Sequence, residues 1–166
     1  MNNYNELDYK EAKKHFRYDS DTGIIIYRKS GKEAGCLRPD GYRQVGVRGK
    51  FYLSHRLAWL LHYGEWPIDE VDHLNGIKTD NRIKNMRDVT HQQNHKNAPL
   101  PHINTLGIMG VFQNYPHTKW IARIGVNSRK INLGAFDNWW DAVCARKAAE
   151  HKYGFYPNHG RTQTNG

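Results

Sequence analysis

Asp72 and His73 stand side by side at the end of a short apolar run, Asn85 closes a polar loop behind them, and Asn94 follows a helix start at Thr90. A carboxylate, an imidazole and a carboxamide brought together can hold one hard divalent cation and activate one water. Mg²⁺ prefers oxygen ligands and keeps several waters, so one or two protein oxygens plus phosphate oxygens are enough to hold it. Asp72 supplies a charged oxygen and Asn94 a neutral one, which leaves the metal positive enough to polarise a scissile phosphate and stabilise the leaving oxygen. His73, with an ordinary pKa of about 6.5, can take a proton from water at neutral pH. Neighbours on an extended strand face opposite sides, so Asp72 and His73 need a bend, or a metal and phosphate lying between them.

The elements that must position these residues follow from local pattern. Residues 8–16 make a short helix with Tyr9, Ala12 and Phe16 on one side, and Asp21-Thr22-Gly23 turns the chain into a β-branched strand at residues 23–28. Residues 42–47 and 50–53 read as strands around an Arg48-Gly49 hairpin turn, with Arg43 among the outward positions. That sheet is either a DNA contact or a plain support. Ser54 is the expected N-cap of a helix over 55–63 that Gly64 ends, with Leu57, Leu60 and Leu61 as its buried stripe. His55 and His62 on this helix are either structural or ligands. Residues 98–109, with Pro99 and Pro101, read as a linker. Beyond it come three strands near residues 110–112, 119–126 and 130–134, then a capping box at Asn138 opening a helix to about Tyr153. Residues 161–166 read as a tail.

The chain is strongly basic, with 25 Lys/Arg against 16 Asp/Glu and a formal charge of +9, which favours a polyanionic partner. Its distribution is uneven: residues 1–54 carry 11 basic and 7 acidic side chains, residues 55–97 carry 6 and 6, and residues 98–166 carry 8 and 3. The reactive segment is neutral and both flanks are basic. No apolar run reaches the ~18 residues of a membrane span, and the first residues do not form a signal peptide. Cys36 and Cys144 are far apart and no Cys-x-x-Cys occurs, so no zinc finger or disulfide framework is expected.

The segment from Asp72 through Arg87, followed by Gln93-Asn94-His95-Lys96-Asn97, resembles the HNH endonuclease family in its phage and homing branch. Tyr18-Asp19, Thr22-Gly23, Gly41-Tyr42-Arg43, Gly49-Lys50, residues 55–59 and residues 64–67 resemble the usual lead-in of such proteins. The resemblance implies a ββα-metal fold, His73 as general base and Asp72 as metal ligand. It implies that Asn85 is a brace that fixes the loop and orients the histidine. It places Asn94 at the last ligand position, with His95 the alternative if the alignment shifts by one. Asn75, Asp80, Asn81, Arg82 and Arg87 also match, as loop structure and phosphate contacts.

Residues 110–160 resemble an APETALA2-type DNA-binding domain through Gly110-Val111, residues 119–124, residues 133–137, Ala142-Val143 and the helix ending at Gly154. That likeness implies a three-stranded sheet in the major groove backed by the helix. Strand alternation independently puts Trp120, Ala122, Ile124 and Val126 on one face and Lys119, Ile121, Arg123 and Gly125 on the other. Lys119, Arg123, Arg129, Lys130 and Asn132 are the expected contacts, Arg reading guanine and Lys neutralising phosphate. Phe112, Gly125 and Asn132 replace plant-type reading residues, so no plant-type target is implied.

Together these features give an α+β chain: a basic N-terminal β segment (1–54), an HNH core (55–97), a linker (98–109), an APETALA2-like domain of a three-stranded antiparallel sheet on one helix (110–160) and a tail. The expected activity is Mg²⁺- or Mn²⁺-dependent hydrolysis of double-stranded DNA, nicking or cutting, by a monomer or homodimer. No membrane or zinc is expected, and the expected place is the cytoplasm, the host's if phage-encoded. The alternative is a non-catalytic, sequence-specific DNA-binding regulator.

Overall fold

The computed structural model describes residues 7–116 and 118–162. Residues 1–6, His117 and residues 163–166, which include most of the expected tail, lie outside the described residues. The chain forms two compact units, Met1–His91 and Gln92–Gly166. No helix among the described residues is long and apolar enough to cross a membrane.

Within the first unit, residues 7–54 are not a separate body from residues 55–91. One core gathers Leu7, Ala12, Phe16, Ile25, Ala34, Val45, Leu57, Ala58, Leu60, Val71 and Met86, so the expected N-terminal segment and the segment after it share a single apolar interior. Helix α1 (Tyr9–His15) is capped by Asp8, whose side chain accepts from the Glu11 N–H at 2.8 Å. It leads into β1 (Phe16–Tyr18), which pairs antiparallel with β2 (Ile25–Tyr27). A second sheet orders β3 (Cys36–Leu37), β4 (Arg43–Val47) and β5 (Lys50–Leu53). Arg48 and Gly49 both have positive φ between paired Val47 and Lys50, the two-residue turn expected there.

Helix α2 (Ser54–Tyr63) buries Leu57, Ala58 and Leu60 and ends at Gly64, φ 85°. Its start differs from expectation. Leu53 occupies the N-cap without a side-chain bond, and the Ser54 hydroxyl is buried inside the helix with no hydrogen-bond partner. Strand β6 (Glu70–His73) then pairs antiparallel with β7 (Met86–Val89), with Asp72 opposite Arg87 and His73 opposite Met86.

The second unit orders β10 (Arg129–Phe136), β9 (Trp120–Val126) and β8 (Val111–Gln113) in an antiparallel sheet, packed on α4 (Trp139–Lys152). Ala122 and Ile124 are buried while Arg123 and Gly125 are exposed, the alternation that a half-buried strand requires. Asn138 caps α4 by accepting from the Asp141 N–H at 2.9 Å. The expected linker is part of this unit. The Tyr156, Gly160 and Leu100 N–H groups donate to the Lys96, Ala98 and Arg161 carbonyls at 3.1, 2.9 and 2.9 Å, and Leu100 and Ile108 are buried. The chain after α4 therefore folds back and pairs with the segment before β8.

Helix α4 also buries a charge that its small-residue stripe did not reveal. Arg146, 4% exposed, donates to Glu150 at 2.9 Å, to the Arg123 carbonyl at 2.8 Å and to His159 Nε2 at 3.1 Å. Removing one partner of such a network leaves the rest desolvated and unpaired. Arg146→Ala is expected to destabilise this unit by about 3–5 kcal/mol in chemical denaturation.

Candidate active site

His73 ends β6 and is buried. The chain leaves the strand in a tight turn: the Gly76 N–H donates to the His73 carbonyl, and the Leu74 N–H to the Asn85 carbonyl, both at 2.8 Å. The His73 ring lies 5.3 Å from the His55 ring, edge to face, and 6.2 Å from Tyr42. Its Nε2 is 3.1 Å from Asn81 Oδ1. Burial lowers the imidazole's pKa below its ordinary value, partly offset by Asn81, Asp72 and Asp80. A neutral imidazole is the form that can accept a proton.

Asp72 precedes it, also buried, so strand alternation sends the two side chains to opposite faces of β6. Arg87, directly across the hairpin, donates from Nε at 2.9 Å and from a second guanidinium nitrogen to the same oxygen, Oδ2. A carboxylate carries about four lone-pair sites on two oxygens, so a carboxylate held this way can also ligate a cation. Among the described residues no three His, Cys, Asp or Glu side chains gather into a cage. A cation that needs only one or two protein oxygens fits Asp72 on these terms.

The loop between β6 and β7 is braced by Asn85. Its Oδ1 accepts from the Asn75 N–H at 3.1 Å, and its Nδ2 donates to Asn75 Oδ1 at 3.0 Å and to the Asp80 carbonyl at 2.8 Å. The family resemblance implies two jobs for Asn85, fixing the loop and orienting the histidine. The Asn81 side chain also reaches the His73 ring, through Oδ1 at 3.1 Å from Nε2. Asp80 is held down to about 2 chiefly by its bidentate bonds from Arg82, at 2.7 and 2.5 Å.

The remaining expected contacts sort by partner. Arg43 does not point outward as expected. It pairs with Glu33 at 2.7 Å and donates to the Gly35 carbonyl at 3.3 Å. Lys119 pairs with Asp137. Arg123, Arg129, Lys130 and Asn132 are exposed on the second unit's sheet, Arg123 with its guanidinium 5.0 Å over the Phe112 ring. Asn94 and His95 lie in the short helix α3 (His91–His95), in the second unit's part of the chain. Sequence reasoning did not single out Tyr42 or Lys78, whose ammonium sits 5.0 Å over the Tyr42 ring and donates to the Asp40 carbonyl at 2.8 Å.

Residues 52–96 match the HNH endonuclease family. The HNH segment thus contains Asp72, His73, Asn81, Asn85 and Arg87. The chain is also 35% identical over 97 residues to DNA endonuclease I-HmuI of Bacillus phage SP01, a match covering 54% of this chain and 55% of that protein. The chain therefore spans about half the length of the curated relative it matches. No solved structure gave a significant match.

His55, beside His73, is pushed down to about 3 by burial and then by the nearby His73 and Arg56. His159 of the second unit is pushed down to about 4, again mainly by burial. Both folded values lie below the unfolded one, so between them the unfolded chain binds protons that the folded chain refuses. Stability is fully present above about 6.5 and falls as pH drops toward 4 and 3, by about 1.4 kcal/mol per pH unit for each histidine. The urea midpoint is expected to be lower at pH 5 than at pH 7.5, and His55→Gln should flatten the first unit's part of that slope.

Proposed function

We propose that the chain is a metal-dependent endodeoxyribonuclease that hydrolyses phosphodiester bonds of double-stranded DNA. The observation that carries this reading is a buried His73 anchored at the end of β6, following the buried Asp72 in the chain, inside the matched HNH segment, with burial lowering the imidazole's pKa. His73 takes the proton from the attacking water. Asp72, held by Arg87, would hold Mg²⁺ or Mn²⁺. The cation, when bound, supplies positive charge at the scissile phosphate and the leaving 3′ oxygen. The products carry 5′-phosphate and 3′-hydroxyl ends. One such site cuts one strand, so a monomer nicks, and double-strand cleavage takes a dimer or two successive events.

The resemblance assigns Asn94 the second oxygen ligand. Affinity is assigned to the second unit's APETALA2-like sheet, where Arg123, Arg129, Lys130 and Asn132 face solvent. Arg43, Arg82, Arg87 and Lys119 are each neutralised by a carboxylate. Any phosphate contact they make would use the donors that the carboxylate leaves over, or would exchange that partner.

The test is supercoiled plasmid carrying candidate target sites, incubated with Mg²⁺ and with Mn²⁺. Nicked or linear product that disappears with EDTA is expected, and Asn94→Ala should raise the Mg²⁺ concentration needed for half-maximal cutting. Plasmid that is bound but uncut with either metal sinks the nuclease reading in favour of a DNA-binding regulator.

A further inference from the structure

We propose that Asn81 is a positioning residue for His73, and that the β1–β2 hairpin, which lies outside the matched HNH segment, holds Asn81 in place. Assigning this role to catalysis rests on the nuclease reading above. The contact itself does not.

A carboxamide oxygen can only accept. With Asn81 Oδ1 3.1 Å from His73 Nε2, the proton of a neutral imidazole sits on Nε2 and the basic lone pair on Nδ1. Which ring nitrogen is basic is set by the hydrogen bond made by the other. Asn81 is 3% exposed and His73 4%, so water does not compete well for this bond, and the choice of tautomer is strongly biased.

Asn81 in turn is pinned from outside its own loop. The Tyr18 hydroxyl donates to the Asn81 carbonyl at 2.7 Å, and the Ile83 N–H donates to the Ser20 carbonyl at 3.1 Å. These bonds bracket Asn81 between the strand and the turn of the hairpin. Burial raises the Tyr18 pKa well above its ordinary value, so the hydroxyl remains a donor at any working pH. The turn is itself rigid: Asp19 accepts from the Asp21 and Thr22 N–H groups at 2.9 and 3.3 Å through its side chain and from Gly23 at 2.8 Å through its carbonyl. On the other side, the bidentate Asp80–Arg82 pair fixes the residues flanking Asn81. Residues 16–27 thus serve the chemistry of residue 73 by way of Asn81.

The deciding measurement is a long-range ¹H–¹⁵N correlation spectrum of the full-length protein, histidine-labelled, without metal or DNA at pH 7.5. Wild type is expected to show His73 as the Nε2–H tautomer. Asn81→Leu should lose that preference and reduce kcat by on the order of 10–100-fold with KM little changed. Asn81→Asp keeps an acceptor oxygen at the same reach and should restore both the tautomer and most of kcat. Tyr18→Phe should weaken both partially. A wild-type His73 protonated at Nδ1 overturns the proposal whatever the fate of the variants. So does an Asn81→Leu protein whose tautomer and kcat match wild type. If wild type proves not to cleave DNA, the nuclease reading falls, and the spectrum still decides whether Asn81 sets the ring.

Discussion

Replacing His73 with alanine is expected to slow DNA cleavage by on the order of 10²–10⁴-fold, the usual contribution of a positioned general base, while leaving DNA affinity within a few-fold of wild type. The two effects separate because His73 is buried and burial lowers its imidazole's pKa, which favours the uncharged form. An imidazole that carries no charge and little accessible surface contributes little to binding a polyanion. Affinity for DNA comes mainly from cations on phosphate, and exposed cations such as Arg123, Arg129 and Lys130 stand on the second unit's sheet. The converse variant, Arg123→Ala with Lys130→Ala, should weaken binding and flatten its salt dependence, with cleavage at saturating protein nearly preserved. Plasmid nicking under single-turnover conditions gives the first quantity, and a salt titration of binding gives the second. Equal cleavage by His73→Ala would remove His73 from the role of base. A similar loss of affinity in that variant would mean that the residue acts through the fold.

Much of this division is legible in the residues themselves. The hairpin turn at Arg48-Gly49, the stop at Gly64 and the cap at Asn138 follow from chemistry confined to a few neighbours. The alternation that buries Ala122 and Ile124 is likewise local. What pattern cannot supply is partnership between distant residues. Asn81 and Asn85 are the same residue type four positions apart in one loop, and only the folded turn decides which reaches His73 and which braces Asn75 and Asp80. Arg43, read as an outward position, in fact shares the face of buried Val45 by strand alternation, and Glu33 and the Gly35 carbonyl pair with its side chain there. The two prolines after Asn97 suggest a linker, since proline donates no backbone bond. Neighbouring Leu100 nonetheless pairs with Arg161, more than sixty positions away. Long-range pairing of this kind leaves no periodic trace. Arg146 is hidden for the opposite reason: an arginine on an otherwise small-residue helix face reads as exposed, and its burial depends on Glu150, His159 and the Arg123 carbonyl closing around it.

Gly23→Ala is expected to damage both stability and catalysis. Gly23 has φ 77°, a region disfavoured for residues with a Cβ, and a Cβ built there lies 2.5 Å from the Arg82 nitrogen and 2.7 Å from the Asn81 carbonyl carbon. Both are backbone atoms, so no side chain can rotate aside. The conformational cost is about 1–2 kcal/mol, and overpacking a close-packed contact adds roughly 1–3 kcal/mol. The turn has two ways to relieve the clash. It can hold its place, in which case residues 81–82 must retreat, or it can swing away, in which case the Ser20–Ile83 and Tyr18–Asn81 bonds lengthen. Either route shifts Asn81 relative to the His73 ring. Cleavage should therefore fall by more than the loss of folded protein accounts for, even at a temperature where the variant remains folded. Gly31→Ala is the matched control: φ is 69° there, but no atom lies within 4 Å of the added methyl. It should show the conformational cost alone and wild-type cleavage per folded molecule. Measuring kcat and the urea midpoint for both variants separates strain in a turn from pressure on the loop behind His73.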